Sequence, residues 1–155
     1  MKNRSKIHDD WETPKEFLNM IRAEFGAFSD PCPITFKEEY SGNSWYPNFD
    51  GLKIDWQEIN FINPPYNRKD KEAFIRKAFK ESKKGKLCVM LLPVSTSTKI
   101  FHEIIYPNAE IRFLKGRIKF KGRNSKGEYV ENKTGQHDSM LVIFKNIKNK
   151  IKVKK

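Results

Sequence analysis

The chain is poor in cysteine, in acidic residues and in long apolar runs, and each shortage removes a class of protein. Its two cysteines, Cys32 and Cys88, are too few for a disulfide framework or a zinc-ligand cluster. His8, His102 and His137 lack metal-ligand spacing, so surface or core positions are expected for them and no metal site. No apolar run approaches the length of a membrane span, and no signal peptide precedes the charged start Met1-Lys2-Asn3-Arg4. A cytoplasmic protein without a membrane partner is the expectation. Asp and Glu number 19 against 31 Lys and Arg. The resulting net charge of +12 suits a polyanionic partner, because each phosphate neutralised by a cation releases counterions.

What is present points to a folded domain. Hydrophobic residues make up only 37%, yet the chain has 12 Phe, 5 Tyr and 3 Trp, and disordered chains are poor in aromatics. Its 155 residues suffice for one domain with one core. That domain is expected over 1–145, followed by a basic, disordered tail over 146–155. Residues 145–155 hold six lysines, and the body stays basic without them. Solubility alone would explain such charge, but charge and aromatics together favour nucleic acid.

Periodicity gives the order of elements. Residues 14–25 read as a helix, with Thr13 as N-cap, Pro14 in the first turn, and Phe17, Leu18, Ile21 and Phe25 on one face. A short strand over 27–29 ends in the turn Asp30-Pro31-Cys32-Pro33, and residues 34–50 look irregular. A second strand, 59–62, stops at Asn63-Pro64-Pro65-Tyr66, and a helix is predicted over 70–83. Residues 86–92 form an apolar run suited to a strand buried on both faces. A helix over 97–105 and strands over 110–114, 116–120 and 140–144 follow, with 121–138 read as a loop with little to bury. Alternating strands and helices predict an α/β fold with a mostly parallel, doubly wound sheet. Ligands bind such sheets beyond the carboxyl ends of the strands. There the turns Asp30-Pro31-Cys32, Asn63-Pro64-Pro65-Tyr66 and Pro93-Val94-Ser95 would share one edge.

One of these turns carries recognisable chemistry. The exocyclic amine of adenine is a poor nucleophile because its lone pair is delocalised into the ring. Two acceptors that take hydrogen bonds from both amine hydrogens draw the nitrogen towards tetrahedral geometry and localise that pair. The Asn63 side-chain oxygen and the Pro64 carbonyl can be those acceptors. Two prolines, Pro64 and Pro65, stiffen the turn before the base arrives. Tyr66 offers a flat face for stacking. Chance would place this tetrapeptide in roughly one chain in a few thousand of this length. The bland reading is a proline turn with Asn63 capping and Tyr66 packing. The turn alone leaves several acceptors open: cytosine amines, guanine in RNA, and protein glutamine.

With that motif in hand, residues 9–144 resemble the phage-type DNA N6-adenine methyltransferases (Dam-like). The likeness lies in ordered blocks: Asp10-Trp11-Glu12-Thr13-Pro14, Phe28-Ser29-Asp30-Pro31-Cys32, Asp50-Gly51-Leu52 and Asn63-Pro64-Pro65-Tyr66. It continues through Leu92-Pro93-Val94-Ser95-Thr96-Ser97-Thr98, Phe101-His102-Glu103 and the run 113–120. The resemblance implies a Rossmann-like class I fold that is a compact single domain, S-adenosylmethionine as methyl donor, and the N6 amine of a flipped adenine in DNA as acceptor. It also implies a phage or prophage origin and a role such as protection from restriction. It places cofactor contacts at Trp11, Thr13, Pro14, Asp30, Pro31, Cys32, and Asp50 or Asp55. The glycine-rich turn usual after the first strand in the wider superfamily is missing here, where Pro31-Cys32-Pro33 follows and no glycine comes before Gly42.

Phosphate contacts are expected from Arg68 and Lys69, just past the turn, and from Arg117, Lys119, Lys121 and Arg123, with Ser95 on the path of the nucleotide. A solvated basic face is the alternative. Without length for a large recognition domain, loose specificity or a short target read by residues 121–138 is expected, from a monomer or weak homodimer. Two competing readings stay open: an RNA or cytosine-N4 amino methyltransferase, and a catalytically silent DNA-binding protein of the same fold.

Overall fold

The structure is a computed structural model and describes residues 12–32, 50–123, 126 and 128–146. Trp11, the stretch 33–49, residues 147–155 of the basic tail and the side chain of Arg123 lie outside the described residues.

Four strands form one sheet in the order β1, β2, β6, β3: β1 is Ile59–Ile62, β2 Leu87–Pro93, β3 Glu110–Phe113 and β6 Ser139–Phe144. Residues of β2 and β6 alternate between two cores, as period-2 geometry requires of a strand buried on both faces. On one face Ile62, Cys88, Met90, Leu92, Met140, Val142 and Phe144 pack beneath helix α2, Arg68–Lys83, through Phe74, Ile75 and Ala78. On the other, Phe61, Val89, Leu91, Leu141 and Ile143 meet Ile21 of helix α1, Lys15–Phe25. The amphipathic face read for residues 14–25 is therefore the face that packs: Phe17, Leu18 and Phe25 flank Ile21 against this second core.

The expectation of a mostly parallel, Rossmann-like sheet is corrected. β1 and β2 run parallel, but β2 pairs with β6 and β3 with β6 antiparallel. The α-helices of the described residues are α1, α2 and the three-residue α3, Tyr106–Asn108. The βα alternation holds as far as β3, which follows the helical stretch 99–108 and runs in the direction of β2. After β3 the chain makes a long excursion and returns in the opposite direction, which needs no crossover helix. The apolar run of β6 (SMLVIF) says that both faces are buried, and burial is blind to strand direction.

That excursion is itself structured, which corrects the loop expected over 121–138. β4, Lys119–Arg123, and β5, Tyr129–Thr134, pair antiparallel as a two-stranded ribbon. Phe120 is buried in the second core and anchors the ribbon to the sheet. A backbone bridge joins it to the start of the described chain: Glu12 N–H donates to Lys121 O (2.6 Å), and Lys121 N–H to Glu12 O (3.1 Å).

Residues 99–108 are helical, and Phe101–Ile105 is wound as a π-helix. Pro107 supplies the cause, since it has no N–H and its ring pushes on the carbonyl four residues back. The preceding turn widens until Tyr106 N–H reaches Phe101 O, five residues away.

Candidate active site

The three strand ends singled out in the sequence do share one edge. Ser29 bridges Asn60 in parallel, with Ser29 N–H on Ile59 O and Phe61 N–H on Ser29 O. β1 in turn lies parallel to β2, with Ile62 level with Met90. Asp30, Asn63 and Val94 therefore leave the sheet on the same side, in that order along it.

Asn63, Pro64 and Pro65 are buried directly beyond β1. Asn67 then caps α2, its Oδ1 accepting from Asp70 N–H at 3.0 Å, so the turn is fixed between a strand and a capped helix. Asn63 is 9% exposed. Its Nδ2 donates to Thr13 Oγ1 at 3.2 Å, and its Oδ1 is buried with no partner. Tyr66 Oη is buried without a partner as well, and burial pushes the phenol up to about 12. The two unsatisfied oxygens sit three residues apart in one turn. Buried polar groups are nearly always paired, so two open oxygens in one turn are an exception that asks for an explanation.

Thr13 does not cap α1. The N-cap position is Pro14, with no side-chain cap bond, and the Thr13 hydroxyl faces Asn63 instead. Its place is set by neighbours on both sides, Glu12 in the bridge to Lys121 and Pro14, whose carbonyl takes the first helical bond from Leu18 N–H. Neither the bridge nor the reach to Asn63, 50 residues away, has a local sequence signal. Exposed His137 puts its ring edge-on to Tyr66, with centroids 6.4 Å apart, and the Asp138 carbonyl accepts from Val94 N–H. The segment leading into β6 thus borders the turn from Asn63 to Tyr66.

Asp30 is exposed, and its Oδ1 accepts from Cys32 N–H at 2.8 Å, closing the turn around Pro31. Cys32 is buried in the core beneath α2. Gly51 packs on this turn so closely that a Cβ there would lie 1.8 Å from Pro31 O, which only glycine permits. Asp50, whose Oδ1 accepts from Leu52 N–H, is thereby brought beside Asp30-Pro31-Cys32. Asp55 stands elsewhere, exposed and paired with Lys84 at 3.3 Å on the amino-terminal side of β1 and β2.

The basic candidates divide. Arg68 and Lys69 are exposed at the start of α2, where Arg68 pairs with Glu72, and Ser95 is half-buried past β2. Arg117 pairs with Asp138 at 3.4 Å, Lys119 is exposed on β4, and Lys121 is half-buried. Among the described residues no three His, Cys, Asp or Glu side chains group as metal ligands, and no helix is long and apolar enough to cross a membrane.

The family model described as DNA N-6-adenine-methyltransferase (Dam) matches residues 2–154, nearly the whole chain. No curated protein and no solved structure matches it.

Proposed function

The chain belongs to the DNA N-6-adenine-methyltransferase (Dam) family, and on that premise we propose that it transfers a methyl group from S-adenosylmethionine to an adenine flipped into the Asn63-Pro64-Pro65-Tyr66 turn. The observation that carries this is the buried Asn63 Oδ1, an acceptor with no partner.

An adenine amine entering the edge gives one hydrogen to Asn63 Oδ1 and the other to the Pro64 carbonyl. Both acceptors are held in place beforehand, so little reorganisation opposes the reaction. Thr13 is a positioning residue. By accepting from Nδ2 it keeps the oxygen of the Asn63 amide, not its nitrogen, towards the base. A flipped amide would set donor against donor. The Tyr66 ring supports the base by stacking, and its phenol stays neutral throughout the ordinary pH range. Asn63 and Pro64 accept hydrogen bonds and not protons; as the N–CH3 bond forms, the S–CH3 bond of the donor would break to leave a neutral thioether, and the extra amine proton passes to water.

S-adenosylmethionine, when bound, supplies the methyl group on a sulfonium sulfur. The residues present fit it. Asp30 and Asp50 flank Pro31 on the side of Asn63 away from β2, and their carboxylates complement the ammonium and sulfonium charges. Arg68, Lys69, Ser95, Arg117, Lys119, Lys121 and Arg123 are the DNA contacts of this reading, supported by the net charge of +12.

Incubation with DNA and methyl-labelled S-adenosylmethionine, followed by digestion to nucleosides, tests the reading. Label in N6-methyladenine is expected. Label only in a cytosine or RNA product, or in none with duplex and single-stranded DNA alike, would refute it.

A further inference from the structure

A cavity of about 390 Å³ opens at the carboxyl end of β2. Its floor is apolar: Ile75 of α2, Leu92 of β2, Met140 of β6, and Ile100 and Ile105, which flank the start and end the π-helical turn. Its rim is cationic and hydroxylic, with Arg68, Lys71 and Lys99 against the single carboxylate of Glu72, and with Ser95 and Ser97. Arg68 is held by Glu72, but Lys71 and Lys99 have no ion-pair partner among the described residues. The Ser95 and Ser97 hydroxyls make no hydrogen bond there either, whereas that of Thr98 is used on Ser95 O.

We propose that this cavity receives the nucleotide next to the extruded adenine in the same DNA strand. The sugar and base lie on the apolar floor, and the phosphate lies between Lys71, Lys99 and the serine hydroxyls. The inference rests on the adenine methyltransferase reading and deepens it. Size is the first argument, because a cavity of this volume holds one nucleotide and not a stretch of duplex. Charge is the second. A rim of three cations and one carboxylate repels a cationic cofactor and attracts an anion, while the acidic pair Asp30 and Asp50 lies on the far side of Asn63. Position is the third. Arg68 follows Tyr66 by two residues, and Pro93 and Ser95 leave the strand hydrogen-bonded to β1, so the cavity borders the base-binding turn. The catalytic turn thus stands between an acidic half of the edge for the methyl donor and a basic half for the strand.

The test couples one phosphate to the two lysines. Oligodeoxynucleotides with a single target adenine, single-stranded and duplex, carry a neutral methylphosphonate at each linkage near that adenine in turn. Their binding is measured by fluorescence anisotropy to the intact protein and to the Lys71→Gln/Lys99→Gln variant. At one flanking linkage the neutral substitution is expected to weaken the wild type about tenfold and the variant less than about twofold. S-adenosylmethionine affinity should be equal in the two proteins, which also shows that the variant is folded. Equal loss in both proteins at every linkage overturns the subsite and makes the lysines diffuse surface charge. If N6-methyladenine still forms in that case, only the subsite falls. A wild type that binds none of the oligonucleotides and forms no N6-methyladenine refutes the function and the subsite together.

Discussion

At the amino-terminal end of β2, Glu81 is fully buried and meets three lysines, Lys86 at 2.5 Å, Lys77 at 2.9 Å and Lys84 at 3.2 Å. At the carboxyl-terminal end of β1, Asn63 is almost as deeply buried, and its Oδ1 meets nothing. The same sheet thus completes a charged group at one end and leaves a polar one open at the other. Satisfying a buried charge contributes to folding, since removing its partners would leave it desolvated and unpaired. Leaving an acceptor open costs stability, and that cost is recovered when a ligand donates to it. The difference separates the end that holds α2 on the sheet from the end proposed to bind the base.

Substitutions at the two ends should therefore fail in different ways. The largest effect is expected from Asn63→Ala: methylation falls about a thousandfold, as when one preorganised polar group is removed from a reaction site. Its unfolding free energy, from urea titration, should stay within about 1.5 kcal/mol of wild type, because the lost acceptor had no partner and, among the described residues, the only bond removed is the neutral one from Nδ2 to Thr13. A large stability loss would erase the contrast. Glu81→Ala should do the reverse, lowering stability by about 3 kcal/mol while the folded fraction retains its turnover per molecule.

Next in size is Thr13→Val, expected to lower kcat by about tenfold to a hundredfold with S-adenosylmethionine affinity unchanged, and Thr13→Ser should restore most of it. Loss of cofactor affinity with unchanged kcat would assign Thr13 to the cofactor's side of the edge instead. A pH series probes the opposite end. Burial pushes the Glu81 carboxyl up, but hydrogen bonds from Lys86, Lys77 and Lys84 outweigh it and bring the pKa down to about 2. Glu81 therefore contributes stability that is fully present above the ordinary carboxylate range and is lost as pH falls towards 2. Urea midpoints should decline over that window in the wild type and less steeply in Glu81→Gln. Smallest of all, Tyr66→Phe should change methylation by less than about threefold and should not lower stability, since the removed hydroxyl had no partner. A larger loss of activity would show that the hydroxyl bonds the substrate.

Much of this was legible in the sequence, for reasons that differ by element. β1, β2, β6, α1 and α2 appear within a few residues of where periodicity puts them, because period 2 and period 3.6 are local consequences of burying one face or two. The turn from Asn63 to Tyr66 was legible because it is contiguous. The ribbon of β4 and β5 was not, since its outer residues, such as Tyr129 and Lys133, are exposed and, among the described residues, only Phe120 of the ribbon is buried in the second core. Asn124-Ser125-Lys126-Gly127 between two short runs is a hairpin signal that a search for apolar periodicity passes over.

The sequence alone determined the chemistry on offer: an amide and a carbonyl in a rigid proline turn after a buried strand, on a basic chain. These follow from residue identity and nearest neighbours. Only the tertiary structure decided how the turn is armed. Strand direction after β3 depends on a return path that burial does not encode. Asp50 and Asp55 look alike in sequence, and only the close approach of Gly51 to Pro31 sends one of them to the edge where Asp30 leaves the sheet. The orientation of the Asn63 amide depends on a hydroxyl 50 residues away, brought there by a backbone bridge between Glu12 and Lys121. That bridge joins distant parts of the chain through backbone groups, so no pattern of side chains announces it or the side-chain contact it permits.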